Sequence, residues 1–267
     1  MLRLILNDTP TAPSDAPGPA AERLQTAMLA AFGAHTDAQG RVHYGRLASS
    51  DAFGAAETAA RGLAGVRLDA PADRHAQLAF WINVYNALVL HGIVRLGVRA
   101  SVRRVWNFFG RVSYRVGAHI LSLDDVEHGV LRDNHRRPWP PWRPFGAGDP
   151  RRALALRPPD PRFHFAITCG AASCPPVAVY RAEAIDAQLD LATRNFVNQE
   201  IVLAGDRLAC SRIFKWYGAD FEAAGGLAPF LLRYLDDGPA RRALAAGAVP
   251  CTAWQPYRWT LQHHPAD

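Results

Sequence analysis

Two cysteines, Cys169 and Cys174, are the strongest nucleophile candidates in the chain. They lie in Phe163-His-Phe-Ala-Ile-Thr-Cys-Gly-Ala-Ala-Ser-Cys-Pro-Pro176, which reads as a short buried strand running into a loop of small residues. Pro175 and Pro176 lack an N–H and fix their own φ, so they keep the chain extended there and out of a ladder. Loops positioned by a rigid element commonly carry chemistry. A thiol reacts as its thiolate and needs a base or a positive field beside it. Glu127 and His128 are the nearest credible acid–base pair. An imidazole can activate a thiol and a carboxylate can orient the imidazole, which is triad logic. Neighbours on an α-helix point about 100° apart, so these two should not face one point squarely. His164 precedes Cys169 by five residues; on a strand the two would lie on opposite faces, so they are not paired.

Asn83 and Asn86 are a second signal. They sit three apart within the apolar run Gln77-Leu-Ala-Phe-Trp-Ile-Asn-Val-Tyr-Asn-Ala-Leu-Val-Leu-His91. Asparagine is a poor helix former, and a buried amide without partners costs about 1–3 kcal/mol. Either loop backbone receives both amides, or one of them polarises a substrate carbonyl or orients a catalytic group. His91, two turns on, reads as a packed histidine. The Cys169–Cys174 spacing falls within what zinc sites tolerate, but there is no second C-x-x-C or H-x-x-x-H, so no metal is expected. Two inert buried thiols are the bland alternative. With no glycine-rich phosphate loop, no nucleotide cofactor is expected.

These residues need a scaffold. Residues 1–19, rich in Pro, Ala, Thr and Asp, read as a flexible leader, and residues 20–267 as a single domain. Helices are predicted over Ala20–Phe32, Ser50–Leu63 and Asp73–Leu96, the last apolar nearly all round and therefore central. A hairpin is predicted within Val105–Leu121. Ser122 and Asp125 then form a capping-box-like start for a short helix carrying Glu127 and His128. Arg136–Pro150 reads as a rigid Pro/Trp-rich surface loop or lid. A helix over Arg181–Asn198 follows, then a hairpin turning at Ala204-Gly-Asp206, helices over Leu227–Leu235 and Ala240–Ala246, and a closing strand Tyr257-Arg-Trp-Thr-Leu261. Without a regular βαβ rhythm the fold class is α+β: mainly helical, with a small, mostly antiparallel sheet.

Composition sets the outer bounds. The 267 residues suffice for one substantial core, and 49% hydrophobic with 20% charged residues is ordinary for a globular protein. No run of about 18 apolar residues suggests a membrane span, and the apolar start is too short for a secretory signal, so a cytoplasmic protein with no membrane partner is expected. The net charge of +6 is carried almost wholly by arginine, Lys215 being the sole lysine. The basic pairs are scattered, as GC-rich coding would leave them, so no nucleic-acid partner is expected. Four cysteines are too few for a disulfide scaffold and read as thiols in a reducing compartment.

Several stretches together resemble the DUF547 family: Val42-His-Tyr44, Ala79-Phe-Trp-Ile-Asn-Val-Tyr-Asn-Ala87, Leu121-Ser-Leu-Asp-Asp-Val-Glu-His-Gly-Val-Leu-Arg132, His164–Pro175, Ser211-Arg-Ile-Phe-Lys-Trp-Tyr-Gly-Ala-Asp-Phe221 and Tyr257–Leu261. The resemblance spans about residues 40–262. It implies a thiol loop that keeps the first cysteine, here Cys169, and tolerates serine at the second, here Cys174. This chain departs from the family where His43 and Arg258 stand in place of Asp. It also lacks the heptads that accompany the domain in plants.

Two functions are consistent with these residues. One is a thiol-dependent hydrolase or acyl transferase acting on an amide or ester of a small molecule or peptide. Cys169, or alternatively Cys174, would be the nucleophile, His128 the base, Glu127 its orienting group and Asn83 or Asn86 a polarising amide. The order of His before Cys is that of a permuted papain-like or transglutaminase-like core, by fold analogy alone. The other is a non-enzymatic peptide- or protein-binding module whose Asn/Glu/Cys cluster is structural.

Overall fold

A computed structural model of the chain describes residues 2–8, 17–68, 73–204, 207–247 and 253–263. The leader residues 9–16, the Gly205-Asp206 turn and Cys251 lie outside these. In chain order, strand β1 (Leu4–Ile5) is followed by helices α1 (Pro17–His35), α2 (Tyr44–Ala48) and α3 (Asp51–Gly62). The Ser50 hydroxyl caps α3 by accepting the Phe53 N–H. Helix α4 (Arg74–Arg95) begins where the Asp73 carboxylate accepts the Ala76 N–H, and it is buried from Leu78 to Ile93. By length and mean hydropathy (1.3) α4 would pass for a membrane span, yet 89% of that apolar window is buried inside the fold. It packs against α1, α2, α3 and the first sheet, so its all-round apolar character is that of a core helix.

The first sheet is shorter than the predicted hairpin. Val105 leads instead into the short helix α5 (Phe108–Arg111), then β2 (Val112–Val116) and β3 (His119–Ser122) pair antiparallel, turning at Gly117 with φ +55°. β1 joins β2 in parallel. Directly after β3, the Ser122 N–H donates to Asp125 and the Asp125 N–H to the Ser122 hydroxyl, the reciprocal pair that the sequence suggested. The helix that this box opens is a π-helix over Asp125–Leu131. Its wide turns continue in bonds from Arg132 N–H to Glu127 C=O and from Asn134 N–H to Gly129 C=O. Gly129 is required there, because a Cβ would come within 2.4 Å of the Phe145 ring.

The thiol segment departs from the strand reading. Pro161–Phe165 is a 3-10 turn capped by Asp160, and the chain from Ala166 to Val179 follows an irregular path. The local reason is Asp160-Pro161: the aspartate accepts the Arg162 N–H and proline sets the turn, which overrides the apolar pattern. Helix α6 (Ile185–Glu200) follows. A second sheet has β4 (Val202–Ala204) antiparallel to β5 (Arg207–Cys210), and β5 parallel to β6 (Ala253–Trp254). Helices α7 (Arg212–Trp216), α8 (Gly218–Ala223), α9 (Leu227–Tyr234) and α10 (Pro239–Ala245) lie between its strands in the chain. The fold is thus α+β with two small mixed sheets, not one mostly antiparallel sheet. Tyr257–Leu261 is not a strand of either; it is laced to the thiol loop. Cys210 is disulfide-bonded, which corrects the reading of all four cysteines as thiols; Cys169 and Cys174 are free.

Two apolar clusters form the core. The larger surrounds α4; the smaller, rich in Phe165, Phe196, Phe214 and Phe221, is built by α6 to α10. A buried ion pair joins them. Arg132, at the end of the π-helix, donates twice to Asp220 of α8, at 2.6 and 2.9 Å. His164 reaches the same carboxylate at 2.8 Å. Asn83 and Asn86 fasten the thiol segment to α4. Asn83 donates to Tyr180 C=O (2.7 Å) and accepts the Tyr180 N–H (2.9 Å). Asn86 donates to Ala166 C=O (2.9 Å) and accepts the Thr168 N–H (3.0 Å).

Truncating Asn86 leaves a buried carbonyl and a buried N–H unpaired. Asn86→Ala should lose on the order of 3 kcal/mol in urea unfolding; a variant as stable as wild type would refute the clasp. Asp220→Ala strands Arg132 and should cost about 3–5 kcal/mol by the same measurement.

Candidate functional site

A cavity of about 780 Å³ opens between the π-helix, the thiol loop, α7 and the closing segment. Cys169, Cys174, Glu127, His128 and His164 all line it, together with Tyr85, Asp124, Tyr217 and Tyr257. Asn83 and Asn86 are not among its lining residues; their amides are engaged by the loop backbone as described above. Trp139 of the Pro/Trp-rich loop, Trp216 and Trp259 make its rim aromatic.

The thiol loop is held from both sides. From α4, Asn86 grips Ala166 and Thr168. From the other side, Ala172 N–H donates to Thr260 C=O (2.8 Å), Gln262 N–H to Gly170 C=O (2.7 Å) and Arg258 N–H to the Ser173 hydroxyl (2.9 Å). Gly170 adopts φ +77°, and a Cβ there would lie 2.7 Å from Ile93, so the close approach to α4 needs glycine. This lacing brings the Tyr257 hydroxyl to 3.4 Å from Cys169 Sγ.

The two sulfurs are inequivalent. Cys174 is partly exposed, whereas Cys169 is buried. The Cys169 backbone N–H donates to Cys174 Sγ at 2.9 Å. Burial pushes the Cys174 thiol up, but hydrogen bonds from the Cys169 thiol, Tyr257, the Cys169 N–H and Thr168 outweigh it and bring it down to about 7. The hydrogen bond to Cys174 and burial push the Cys169 thiol well above its ordinary value. Cys174 is therefore the more acidic thiol of the pair, and the Cys169 backbone N–H donates to it. Neither sulfur is hydrogen-bonded to an imidazole among the described residues.

Glu127 is buried and doubly held: Tyr85 donates to Oε2 at 3.0 Å and Tyr217 to Oε1 at 2.5 Å. Burial opposes its ionisation, but His128, the Tyr217 hydroxyl, His164 and Arg132 hold it below the ordinary carboxylate value. The wide π turns let Glu127 and His128 share one wall, with His128 Nδ1 3.7 Å from Glu127 Oε1. Arg132 Nη1 lies 3.1 Å from His128 Nδ1. A guanidinium can only donate, so Nδ1 accepts and the proton sits on Nε2. Burial, with Arg132 and Arg137 beside it, lowers His128 to about 4, so it is neutral at pH 7. Its Nε2 points toward Asp124, 3.8 Å from Oδ1. Burial raises Asp124 to about 7 even with Arg137 Nη1 2.9 Å from Oδ2. His164 stacks on Tyr217 with ring centroids 4.0 Å apart, joining the Asp220 ion pair to the carboxylate site.

Tyr85, Asp124, Arg132, Tyr217, Asp220 and Tyr257 were not singled out from the sequence. Each lies inside or beside a motif that carries the family resemblance, and that is the signal that could have found them. Chemically, the cavity offers a thiol and a carboxyl group that are both near their midpoints at neutral pH, a fixed carboxylate anion and a neutral imidazole that donates. Among the described residues no three His, Cys, Asp or Glu side chains are grouped to hold a metal ion.

No curated protein and no solved structure matches the chain. The match to a protein family starts just before α4 and ends within α6, so it includes the thiol loop, Glu127 and His128, but not Tyr217, Asp220 or Tyr257. Over residues 70–197, then, the chain matches the model of the family described as protein of unknown function, DUF547.

Proposed function

We propose that the cavity performs thiol-dependent acyl transfer or hydrolysis on an ester or amide, with Cys174 as nucleophile. The observation that carries this reading is the Cys174 sulfur, which accepts the Cys169 N–H at 2.9 Å in a residue that lines a cavity large enough for a small molecule or a peptide end. The thiolate attacks the carbonyl carbon; a C–S bond forms and the C–O or C–N bond breaks. The leaving group takes a proton from the Asp124 carboxyl on the cavity wall, while the neutral His128 Nε2–H can hydrogen-bond to it without giving up its proton. Water or a second nucleophile then attacks the same carbonyl; its bond to carbon forms, the C–S bond breaks, Cys174 leaves as thiolate and the attacking group's proton returns to the Asp124 carboxylate. The Tyr257 hydroxyl serves as a hydrogen-bond donor to the thiolate. Its own pKa is raised well above the ordinary value, first by burial, so it keeps its proton. This assignment moves the nucleophile from Cys169 to Cys174 and gives His128 a donor's part instead of a base's. The order of His128 before the cysteines remains that of a permuted papain-like or transglutaminase-like core.

A binding module is the second reading. The tight engagement of Glu127 by two tyrosines favours it, since a carboxylate so held is a structural anion, and so does the lack of an imidazole on either sulfur.

Iodoacetamide alkylation followed by mass spectrometry separates the two. Labelling of the native protein should fall on Cys174, slow below pH 7 where the thiol is protonated, and rise with pH to a plateau above it, with an apparent pKa of about 7. Tyr257→Phe removes a donor to the anion and should move that midpoint up by about one unit. An aryl acetate should leave an acetyl group on Cys174 that is absent from Cys174→Ser. Labelling without acyl adducts across a panel of aryl esters and thioesters would leave the binding reading standing.

A further inference from the structure

The paired sulfurs support a second chemistry that acyl transfer does not use. Cys174 and Cys169 both line the cavity, Cys169 being the more buried residue. The Cys169 backbone N–H donates to Cys174 Sγ at 2.9 Å, so the Cys174 sulfur rests against the residue that carries the other thiol before any reaction. The intervening residues are Gly170, Ala171, Ala172 and Ser173, small side chains around a glycine already at positive φ. An exposed thiolate next to a protonated thiol is the arrangement of a redox-active pair, in which one sulfur is oxidised and the other resolves it. Cys210 is bridged, so among the described residues this pair holds the free thiols.

We propose that Cys174 is a site of reversible oxidation by hydroperoxides, with Cys169 as the resolving thiol. The Cys174 thiolate attacks the near oxygen of the peroxide. An S–O bond forms and the O–O bond breaks; sulfur is oxidised to sulfenic acid, and the peroxide leaves as alkoxide or hydroxide, which takes a proton from water. Cys169 sulfur then attacks Cys174 sulfur. An S–S bond forms, the S–O bond breaks, and hydroxide leaves as water with the Cys169 proton. A thiol reductant reverses the bridge by exchange.

The order of the two steps is built in. Cys169 is held protonated first by its hydrogen bond to Cys174 and also by the charge on that sulfur. Burial remains, but sulfenic acid carries no such charge, so oxidation of Cys174 removes the electrostatic restraint and eases the attack by Cys169. The bridge also consumes the nucleophile, which makes it an off state of the acyl-transfer site. The oxidation itself needs only the thiolate and does not depend on acyl transfer being right.

The test treats the native protein with hydrogen peroxide, blocks remaining thiols with N-ethylmaleimide and maps the products by mass spectrometry. Wild type should give an intramolecular Cys169–Cys174 bridge that dithiothreitol reverses completely. Cys169→Ser should stop at a sulfenic acid on Cys174 that dimedone traps. Cys174→Ser should oxidise at Cys169 at least roughly tenfold more slowly than wild type does at Cys174. If wild-type Cys174 passes to sulfinic acid while Cys169 still takes maleimide, or if Cys169 is oxidised first, the proposal is overturned; the wild-type arm decides this even if a variant misfolds. A protein that forms the bridge but never an acyl adduct would keep this inference and lose the acyl-transfer reading.

Discussion

Two amides that cannot be left without partners organise this molecule. Helix α4 is buried on all sides, so Asn83 and Asn86 have no water to turn to. Each meets one N–H and at least one C=O of a segment that has no ladder of its own. The irregular thiol loop and the helix therefore satisfy one another. The loop gains the hydrogen bonds that a strand would have supplied, and the helix gains partners for side chains that would otherwise destabilise it. With Ala166, Thr168 and Tyr180 fixed, Cys169 and Cys174 occupy set positions relative to the π-helix, and the cavity between them has a rigid wall.

The same economy runs through the ionised groups. Asp220 accepts from Arg132 and His164, and these hydrogen bonds hold it ionised against the opposing effect of burial. Arg132 in turn fixes the tautomer of His128, and His164 stacks on the tyrosine that holds Glu127. A carboxylate on α8 thus sets the protonation of a histidine in the π-helix without touching it. The consequence is a cavity wall whose charge states are settled by packing, leaving Asp124 and Cys174 as the lining groups poised near neutrality.

What the sequence disclosed follows from how local its signals are. The Asp73 cap, the Ser122–Asp125 box and the all-round apolar run of α4 are written in neighbouring residues, and the structure has them. The strand reading of Phe163–Thr168 failed because a short apolar run looks alike in a strand and in a buried turn; Asp160-Pro161 was the cue that decided it. The expectation that Glu127 and His128 diverge assumed α-helical turns, and nothing in the residues announced the wider ones. The partnerships of Tyr85, Tyr217 and Tyr257 span long sequence separations, so no spacing rule could pair them with Glu127 or the thiols.

The lacing of the closing segment onto the thiol loop has a further consequence in time. A ribosome makes Cys169 and Cys174 well before Tyr257, Arg258 and Thr260. Until that later stretch docks, the loop lacks one of its two supports, and Cys174 lacks the tyrosine hydroxyl that helps to stabilise its anion. A nascent or partly unfolded chain thus carries ordinary thiols, and the reactive one exists only in the finished fold. Reactivity at Cys174 is in this sense a report on the chain's own completion.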